Sequence, residues 1–212
     1  MSEELPHLNA MQARILGCVI EKQLLTPDAY PMTLNALQAA TNQKTSREPV
    51  MSLDAAEIGG ALASLGQLRL VRRVLSSRAE RYEHRAAEEF SLTRPQSALL
   101  AVMLLRGPQT LNELWTRTDR MANYASADAV RQDLDLMASR RPSLVKEIGR
   151  APGQREDRFA HLLAGDVDVA SLTFAPAAGA GPPSSVALLE ERVRALEEQV
   201  ADLKARLDAV GA

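Results

Sequence analysis

Arginine is the residue type whose spacing in this chain points most clearly to a chemistry, because it recurs in short clusters beside turns. A guanidinium group binds phosphate oxygens through paired hydrogen bonds, so such clusters are typical of contact with a nucleic-acid backbone. The candidate contacts to double-stranded DNA are nine arginines and one glutamine: Arg72, Arg73, Arg78, Arg81, Arg131, Gln132, Arg140, Arg150, Arg155 and Arg158. For the arginines at 72–81 and 150–158, an alternative of equal weight is that they are solvated and paired with nearby acids, which are Glu80, Glu83, Glu156 and Asp157.

The residues that enzymes use for catalysis are sparse and scattered in this sequence. The histidines His7, His84 and His161 lie far apart, and no metal-ligand spacing or glycine-rich phosphate loop is visible. Cys18 sits in an aliphatic stretch, which favours a buried thiol over a reactive one. We therefore predict a non-enzymatic protein that uses neither a metal nor a cofactor.

Net charge and aromatic content limit the classes of partner. The 212 residues carry a formal net charge of −2, which argues against indiscriminate polyanion binding but allows a local basic patch. Aromatic residues make up only 3%, too few for a platform that stacks single-stranded bases. The N-terminal sequence lacks a secretory signal and no stretch is apolar enough to span a bilayer, so we expect a cytoplasmic protein without membrane contact.

A duplicated sequence pattern supplies the elements that would position the arginines. Three segments of the first half recur in the same order in the second half: TLNAL at 33–37 and TLNEL at 110–114, LVRRV at 70–74 and LVKEI at 144–148, RYEH at 81–84 and RFAH at 158–161. Ordered matches of this kind indicate two copies of one module, which we assign to residues 1–88 and 89–165.

Each copy is predicted to fold as three helices followed by two strands. The first helices cover residues 8–24 and 95–105, the second begin at Thr33 and Thr110, and the third begin at Asp54 and Ser126, all residue types that cap helix starts. Thr110 and Glu113 fit a capping box. Three helices and a two-stranded wing form a winged helix, so the predicted fold class is mainly α with small β wings, as tandem winged-helix domains.

The two third helices differ in their suitability for DNA contact. The helix of the first copy contains no Lys or Arg, and its small residues Gly59, Gly60 and Ala63 predict a surface that packs against a neighbouring helix, joining the two copies. The helix of the second copy carries Arg131 and is the better candidate for the major groove.

A polar stretch, NQKTSREPVMSL at residues 42–53, separates the second and third helices of the first copy. It contains Lys44 and Arg47, which we predict as a candidate partner-contact loop or a packed polar loop. The alternative is an ordinary solvated loop over a buried Val50 and Met51.

The C-terminal part differs in kind from the two copies. Residues 166–185 are rich in Gly, Pro and Ser and are predicted to be a flexible linker. Residues 186–212 are predicted to form a coiled-coil helix with a heptad seam of Val186, Leu189, Val193, Leu196, Val200, Leu203, Leu207 and Val210. This seam predicts a homodimer, and the alternative is a single amphipathic helix that folds back onto its own chain.

Long motifs of this chain, including ARILGCVIEKQLLTPDAYPMTLNAL and GQREDRFAHLLAGDV, resemble the YceH-like family of bacterial proteins of unknown function. The resemblance covers roughly Leu8 to Val167. It implies a tandem winged-helix fold, a bacterial origin and a cytoplasmic setting, and it brings no activity or catalytic residue with it.

Two functions of different class follow from the sequence. The wing arginines favour a dimeric, regulatory protein that associates with DNA, which is the function we predict. The net charge is near neutral, and the third helix of the first copy lacks basic residues. Both features favour the alternative, a scaffold whose winged helices bind a protein partner.

Overall fold

The computed structural model of this protein describes residues 4–75, 79–150 and 156–166. Arg78, Arg155, nearly all of the predicted linker and the whole predicted coiled-coil segment lie outside these residues. Within the described ranges, no helix has the length and hydropathy needed to cross a membrane.

The first half of the unit consists of three helices and a small antiparallel sheet. Its elements are α1 (Ala10–Leu25), a 3-10 turn (Pro27–Ala29), β1 (Met32–Thr33), α2 (Leu34–Thr41), α3 (Ala55–Gln67), β2 (Val71–Leu75) and β3 (Glu80–His84). The strand order is β1-β3-β2, so β3 is central and β2 and β3 form the first hairpin.

The second half repeats this order, without the 3-10 turn, after a short helix, α4 (Ala86–Glu89), which the sequence did not predict. Its elements are α5 (Arg94–Arg106), β4 (Gln109–Thr110), α6 (Leu111–Thr118), α7 (Ala127–Ser139), β5 (Val145–Gly149) and β6 (Arg158–His161). The strand order is β4-β6-β5, and β5 and β6 form the second hairpin. The described part of the chain is therefore mainly helical with two small antiparallel sheets, as predicted.

Local capping explains why the predicted helix starts agree with the structure. Thr110 accepts from the backbone N–H of Glu113 at 3.2 Å, and Glu113 accepts from the N–H of Thr110 at 2.9 Å, which confirms the predicted capping box. Asp54 and Glu57 form the same arrangement at the start of α3. Such pairs satisfy backbone donors that have no partner inside the helix, so a few adjacent residues suffice to fix a helix start.

The two-residue strands β1 and β4 were not predicted. Met32 lies opposite Tyr82, and Gln109 lies opposite Phe159, so each strand extends its hairpin into a three-stranded sheet. A strand of two residues shows no alternation of polar and apolar residues, and only its pairing with a distant strand defines it.

Helices α1 and α5 form the centre of the core and join the two halves. The two helices approach closely at Gly17, because a Cβ atom there would lie 2.9 Å from Cγ of Leu105 and 3.0 Å from Cβ of Leu104. A side chain at this position would therefore displace α5.

The expectation that the small residues of α3 join the halves is wrong. A Cβ atom at Gly59 or Gly60 would meet nothing within 4 Å, and Gly60 is exposed. The apolar residues Ile58, Leu62 and Leu65 take the core side of α3, so the small residues face solvent.

Candidate nucleic-acid and partner interface

The arginines of the first hairpin pair with acids on the neighbouring strand. Arg72 forms an ion pair with Glu83, the residue directly opposite it, and Nη1 of Arg73 lies 2.8 Å from Oε1 of Glu80. The Arg72 and Arg73 side chains remain 56% and 60% exposed. The hairpin therefore presents locally balanced charge, although solvent still reaches both guanidinium groups.

Arg81 and Arg158 occupy equivalent positions and tie each sheet to the loop that precedes it. Nη1 of Arg81 donates to the carbonyl oxygen of Pro31 at 2.7 Å, and Nη1 of Arg158 donates to that of Pro108 at 3.0 Å. Arg158 also pairs with Glu113 at 3.0 Å, and its side chain is only 13% exposed. This duplicated contact stabilises the edge strands β1 and β4, a role that the sequence analysis missed.

Arg131, the predicted groove residue of α7, is held by two acids. Its Nε lies 3.0 Å from Oδ1 of Asp135, and its Nη1 and Nη2 lie 3.1 and 2.9 Å from the two carboxylate oxygens of Glu147. Its guanidinium carbon also lies 5.1 Å from the ring centroid of Phe159. These contacts orient the guanidinium toward the second hairpin.

The remaining described candidates do not converge on one surface. Arg150 pairs with Asp157 at 3.2 Å in the second hairpin, and Arg140 makes a long, 3.4 Å contact with the carbonyl oxygen of Ser91. Gln132 is exposed on α7. The exposed neighbours of Gln132 on the same helix include Asp128 and Asp135, so this face of α7 is more acidic than basic.

The loop 42–53 contains one buried and one exposed cation. The Arg47 side chain is fully buried, where it donates to both carboxylate oxygens of Glu21 at 3.1 and 2.6 Å and to the carbonyl oxygen of Ala40 at 3.1 Å. The prediction of Arg47 as a partner contact is therefore wrong, because a partner cannot reach it. Lys44 is exposed and stays a candidate.

Arg14, a second buried arginine, holds the same loop from α1. It donates to the carbonyl oxygens of Thr41 at 3.3 Å and Pro49 at 2.5 Å, and burial lowers its pKa. The loop also contacts α5, since the N–H of Glu48 donates to the carbonyl oxygen of Leu105 at 2.8 Å. The predicted packed polar loop thus describes this segment better than a solvated one.

Burial favours the neutral forms of three titratable groups, Cys18, His84 and His161. Cys18 is buried, as predicted, and burial raises its thiol pKa to about 11. His84 and His161 end the central strands of the two sheets, and burial lowers the pKa of each to about 4. Nδ1 of each histidine is buried without a hydrogen-bond partner among the described residues.

Metal ligands do not cluster in the part of the chain that the structure describes. No group of three or more His, Cys, Asp or Glu side chains there is arranged to hold a metal ion.

Comparisons with known proteins assign the chain to a family. Residues 8–154 match the family described as a protein of unknown function, DUF480. A UPF0502 protein of Mesorhizobium japonicum is 57% identical over the full length of both chains. A UPF0502 protein of Xanthomonas oryzae is 51% identical over 98% of this chain and 97% of its own length. The chain therefore belongs to the DUF480, or UPF0502, family of bacterial proteins of unknown function, in agreement with the resemblance found in its motifs.

Proposed function

We propose that this chain is a non-enzymatic, cytoplasmic tandem winged-helix protein whose winged helices bind another protein. Each half has the order helix, short strand, helix, helix, hairpin, which is the order of a winged helix. Fold alone does not specify a function, because winged helices serve several binding roles, so the surface chemistry must decide.

The observation that carries this proposal is that Arg131, the arginine predicted to enter the major groove, is already paired with acids of its own chain. Arg131 makes three hydrogen bonds to Asp135 and Glu147, so contact with a base edge would require it to leave two carboxylates. The equivalent helix α3 exposes Glu57, Gly60 and Ala63 and offers no cation. Neither third helix therefore offers an unpaired cation for base recognition, and the exposed amide of Gln132 on α7 lies beside the exposed acids Asp128 and Asp135.

The outer face of α7 has the chemistry of a protein contact. Leu136 is 58% exposed, and Asp128, Gln132 and Asp135 are exposed on the same helix. Carboxylates beside an apolar side chain repel a phosphate backbone but complement apolar and basic side chains of a protein. A partner that covers Leu136 and pairs with these acids fits this face.

Purification of the tagged full chain from nuclease-treated lysate tests the proposal. We expect a protein partner that resists nuclease, is retained by Leu75→Asp and is lost by Leu136→Asp. Leu75 is the matched control because it is 76% exposed in the first hairpin. Retention of every captured protein by Leu136→Asp, or loss of all of them on nuclease treatment, would contradict the proposed surface.

DNA association remains a second candidate, favoured by the exposure of Arg72 and Arg73. Exposed ion pairs contribute at most about 1 kcal/mol each, so a phosphate could replace Glu83 or Glu80 as the partner. Binding to labelled random duplex should then fall with salt, with a slope of about −0.9 per neutralised phosphate.

Fluorescence anisotropy across a salt series separates this candidate from protein binding. Arg72→Ala with Arg73→Ala should weaken binding and reduce the slope, whereas Arg120→Ala, at an exposed site outside the hairpins, should change neither. Arg158 is unsuitable for this test because its loss would disturb the second sheet. Absence of binding at low salt would eliminate the DNA function.

Dimerisation through Val186 to Val210 is a further part of the proposal and rests on the heptad seam alone. We expect the full chain to sediment as a dimer at micromolar concentration. Leu196→Glu with Leu203→Glu, at two d positions, should convert it to a monomer because these changes place charge in an apolar seam. A wild-type monomer at that concentration would refute the dimer.

A further inference from the structure

A cleft of about 560 Å³ lies where equivalent ends of the two halves meet. The residues that follow α3 in the first half and those that follow α7 in the second half both line it, together with α4 and the N-terminal segment. Three arginines line this cleft, Arg69, Arg140 and Arg141, beside apolar side chains that include Leu5, Phe90 and Leu144.

Among the described residues, the arginines of this cleft have weak partners or none, unlike Arg72, Arg73 and Arg150 of the hairpins. Neither Arg69 nor Arg141 forms an ion pair or a side-chain hydrogen bond with any described residue, and both are exposed. Within the described part of the chain, the side chain of Arg140 makes one hydrogen bond, of 3.4 Å, to the carbonyl oxygen of Ser91. Two carboxylates, of Glu4 and Glu89, also line the cleft, so the three guanidinium groups leave one net positive charge.

The backbone at Arg69 is of a kind that normally selects glycine. Arg69 has φ of +60°, just after the end of α3, and the N–H of Leu70 closes the helix by donating to the carbonyl oxygen of Leu65 at 2.9 Å. Helices that end in this way usually carry glycine at the left-handed position, since it has no Cβ. An arginine kept in this conformation supports the hypothesis that its side chain has a use at this place.

Hydrogen bonds within the chain weaken the opposition of the two helix ends at the cleft to an anion, without removing it. The carbonyl oxygens of Ser64 and Leu65 at the end of α3 accept hydrogen bonds from Leu68 and Leu70, and the carbonyl oxygen of Met137 in α7 accepts one from Leu144. These bonds satisfy groups that would otherwise carry the negative end of each helix dipole.

We propose that this cleft binds a small organic anion, a carboxylate or phosphate monoester that carries an apolar group. The anionic group accepts hydrogen bonds from Arg69 and Arg141, and the apolar group packs on Phe90 and Leu144. The volume lies within the range of roughly 300 to 1,000 Å³ that is typical of small-molecule sites. Such a ligand contacts both halves of the chain, and its binding is independent of the partner surface on α7.

Thermal unfolding of the full chain with three probes tests the proposal. Octyl phosphate and octanoate, both below their micelle concentrations, should raise the melting temperature in a saturable manner, because a ligand that binds only the folded state stabilises it. Octanol, which has the same chain without the charge, should not. The two anions also distinguish phosphate from carboxylate as the preferred group.

Variants locate the effect in the cleft. Arg69→Gly with Arg141→Ala should weaken the apparent affinity on the order of tenfold or more, since two charge-assisted contacts are lost. Glycine suits the backbone at residue 69, so this variant should stay folded, which the same melting curves check. Arg120→Ala is the matched control and should bind as the wild type does.

Three results would overturn the proposal. These are the absence of any saturable shift with either anion, an equal shift with octanol, and full binding by the folded double variant. If inorganic phosphate shifts the melting temperature as much as octyl phosphate does, the apolar part of the site is refuted. None of these outcomes alters the capture of a protein partner through Leu136, so failure here and failure of the proposed function are distinguishable.

Discussion

Acidification should destabilise this protein through its two buried histidines. Nε2 of His84 lies beside Oε1 of Gln23. Because an amide oxygen can only accept a hydrogen bond, this pairing requires the proton on Nε2 and leaves Nδ1 unprotonated. Nδ1 of His84 and of His161 is buried with no partner among the described residues. Protonation would therefore create a buried cation with an unsatisfied donor, which is why burial lowers both pKa values to about 4.

The sign and size of the effect follow from the lowered pKa. Between pH 6.5 and pH 4 the unfolded chain binds protons at these histidines that the folded chain does not. Their contribution to the free energy of unfolding is therefore fully present above pH 6.5, decreases as the pH falls, and levels off below about pH 4. At 1.36 kcal/mol per pKa unit, His84 should cost about 2 kcal/mol at pH 5. His161 should cost the same or somewhat less, because part of its residue surface is exposed.

Urea unfolding of the full chain at pH 7.5 and pH 5.0 measures this loss. His84→Phe with His161→Phe removes both titrations and keeps a ring against Tyr30, whose centroid lies 6.3 Å from that of His84. The wild type should lose about 3 to 4 kcal/mol more than the double variant over this interval, since carboxylate titration is common to both. Equal losses, or histidine pKa values above 6 measured by NMR in the folded protein, would refute the reasoning.

Further predictions concern stability at neutral pH, measured as the free energy of unfolding in urea. Gly17→Ala should lower the free energy of unfolding by about 1 to 3 kcal/mol, because the added methyl group overpacks α1 against α5. Gly60→Ala should raise it by about 0.5 to 1 kcal/mol, because the site is open and alanine favours a helix. A stabilising Gly17→Ala and a destabilising Gly60→Ala would contradict this packing. Glu21→Gln should lower the free energy of unfolding by about 3 to 5 kcal/mol, because it leaves the buried charge of Arg47 without an anion. Glu83→Gln removes an exposed ion pair and should lower it by at most about 1 kcal/mol. Similar losses for the two variants would contradict the burial of the Glu21–Arg47 pair. Arg69→Gly should leave the stability unchanged or raise it by about 1 kcal/mol, and a clear loss would show that its side chain supports the fold.

Helix starts and element order were predictable because their causes are local or repeated. The capping pairs Asp54 with Glu57 and Thr110 with Glu113 lie three residues apart, so the sequence shows both partners at once. The repeated segments then required that the second half follow the first, and the structure shows the same order of three helices and a hairpin in both halves.

Small residues and cations were harder to interpret. Gly60 and Gly17 both lie in helices, but only Gly17 meets a neighbouring helix, because contact depends on which side of each helix faces the core. Lys44 and Arg47 lie three residues apart in one loop, and one is exposed while the other is buried. No local pattern distinguishes them, since the acid that binds Arg47 is Glu21 on α1.

The sequence by itself determined the composition of each half, the starts of its helices and the repeated order of its elements. Only the tertiary structure decided how the arginines are used. Arg131 meets Glu147, Arg81 and Arg158 meet the loops before β1 and β4, and Arg69 and Arg141 come to one cleft. These groups are distant in the chain, and a hydrogen bond or ion pair acts over only a few ångströms, so the folded backbone must first bring its two partners together.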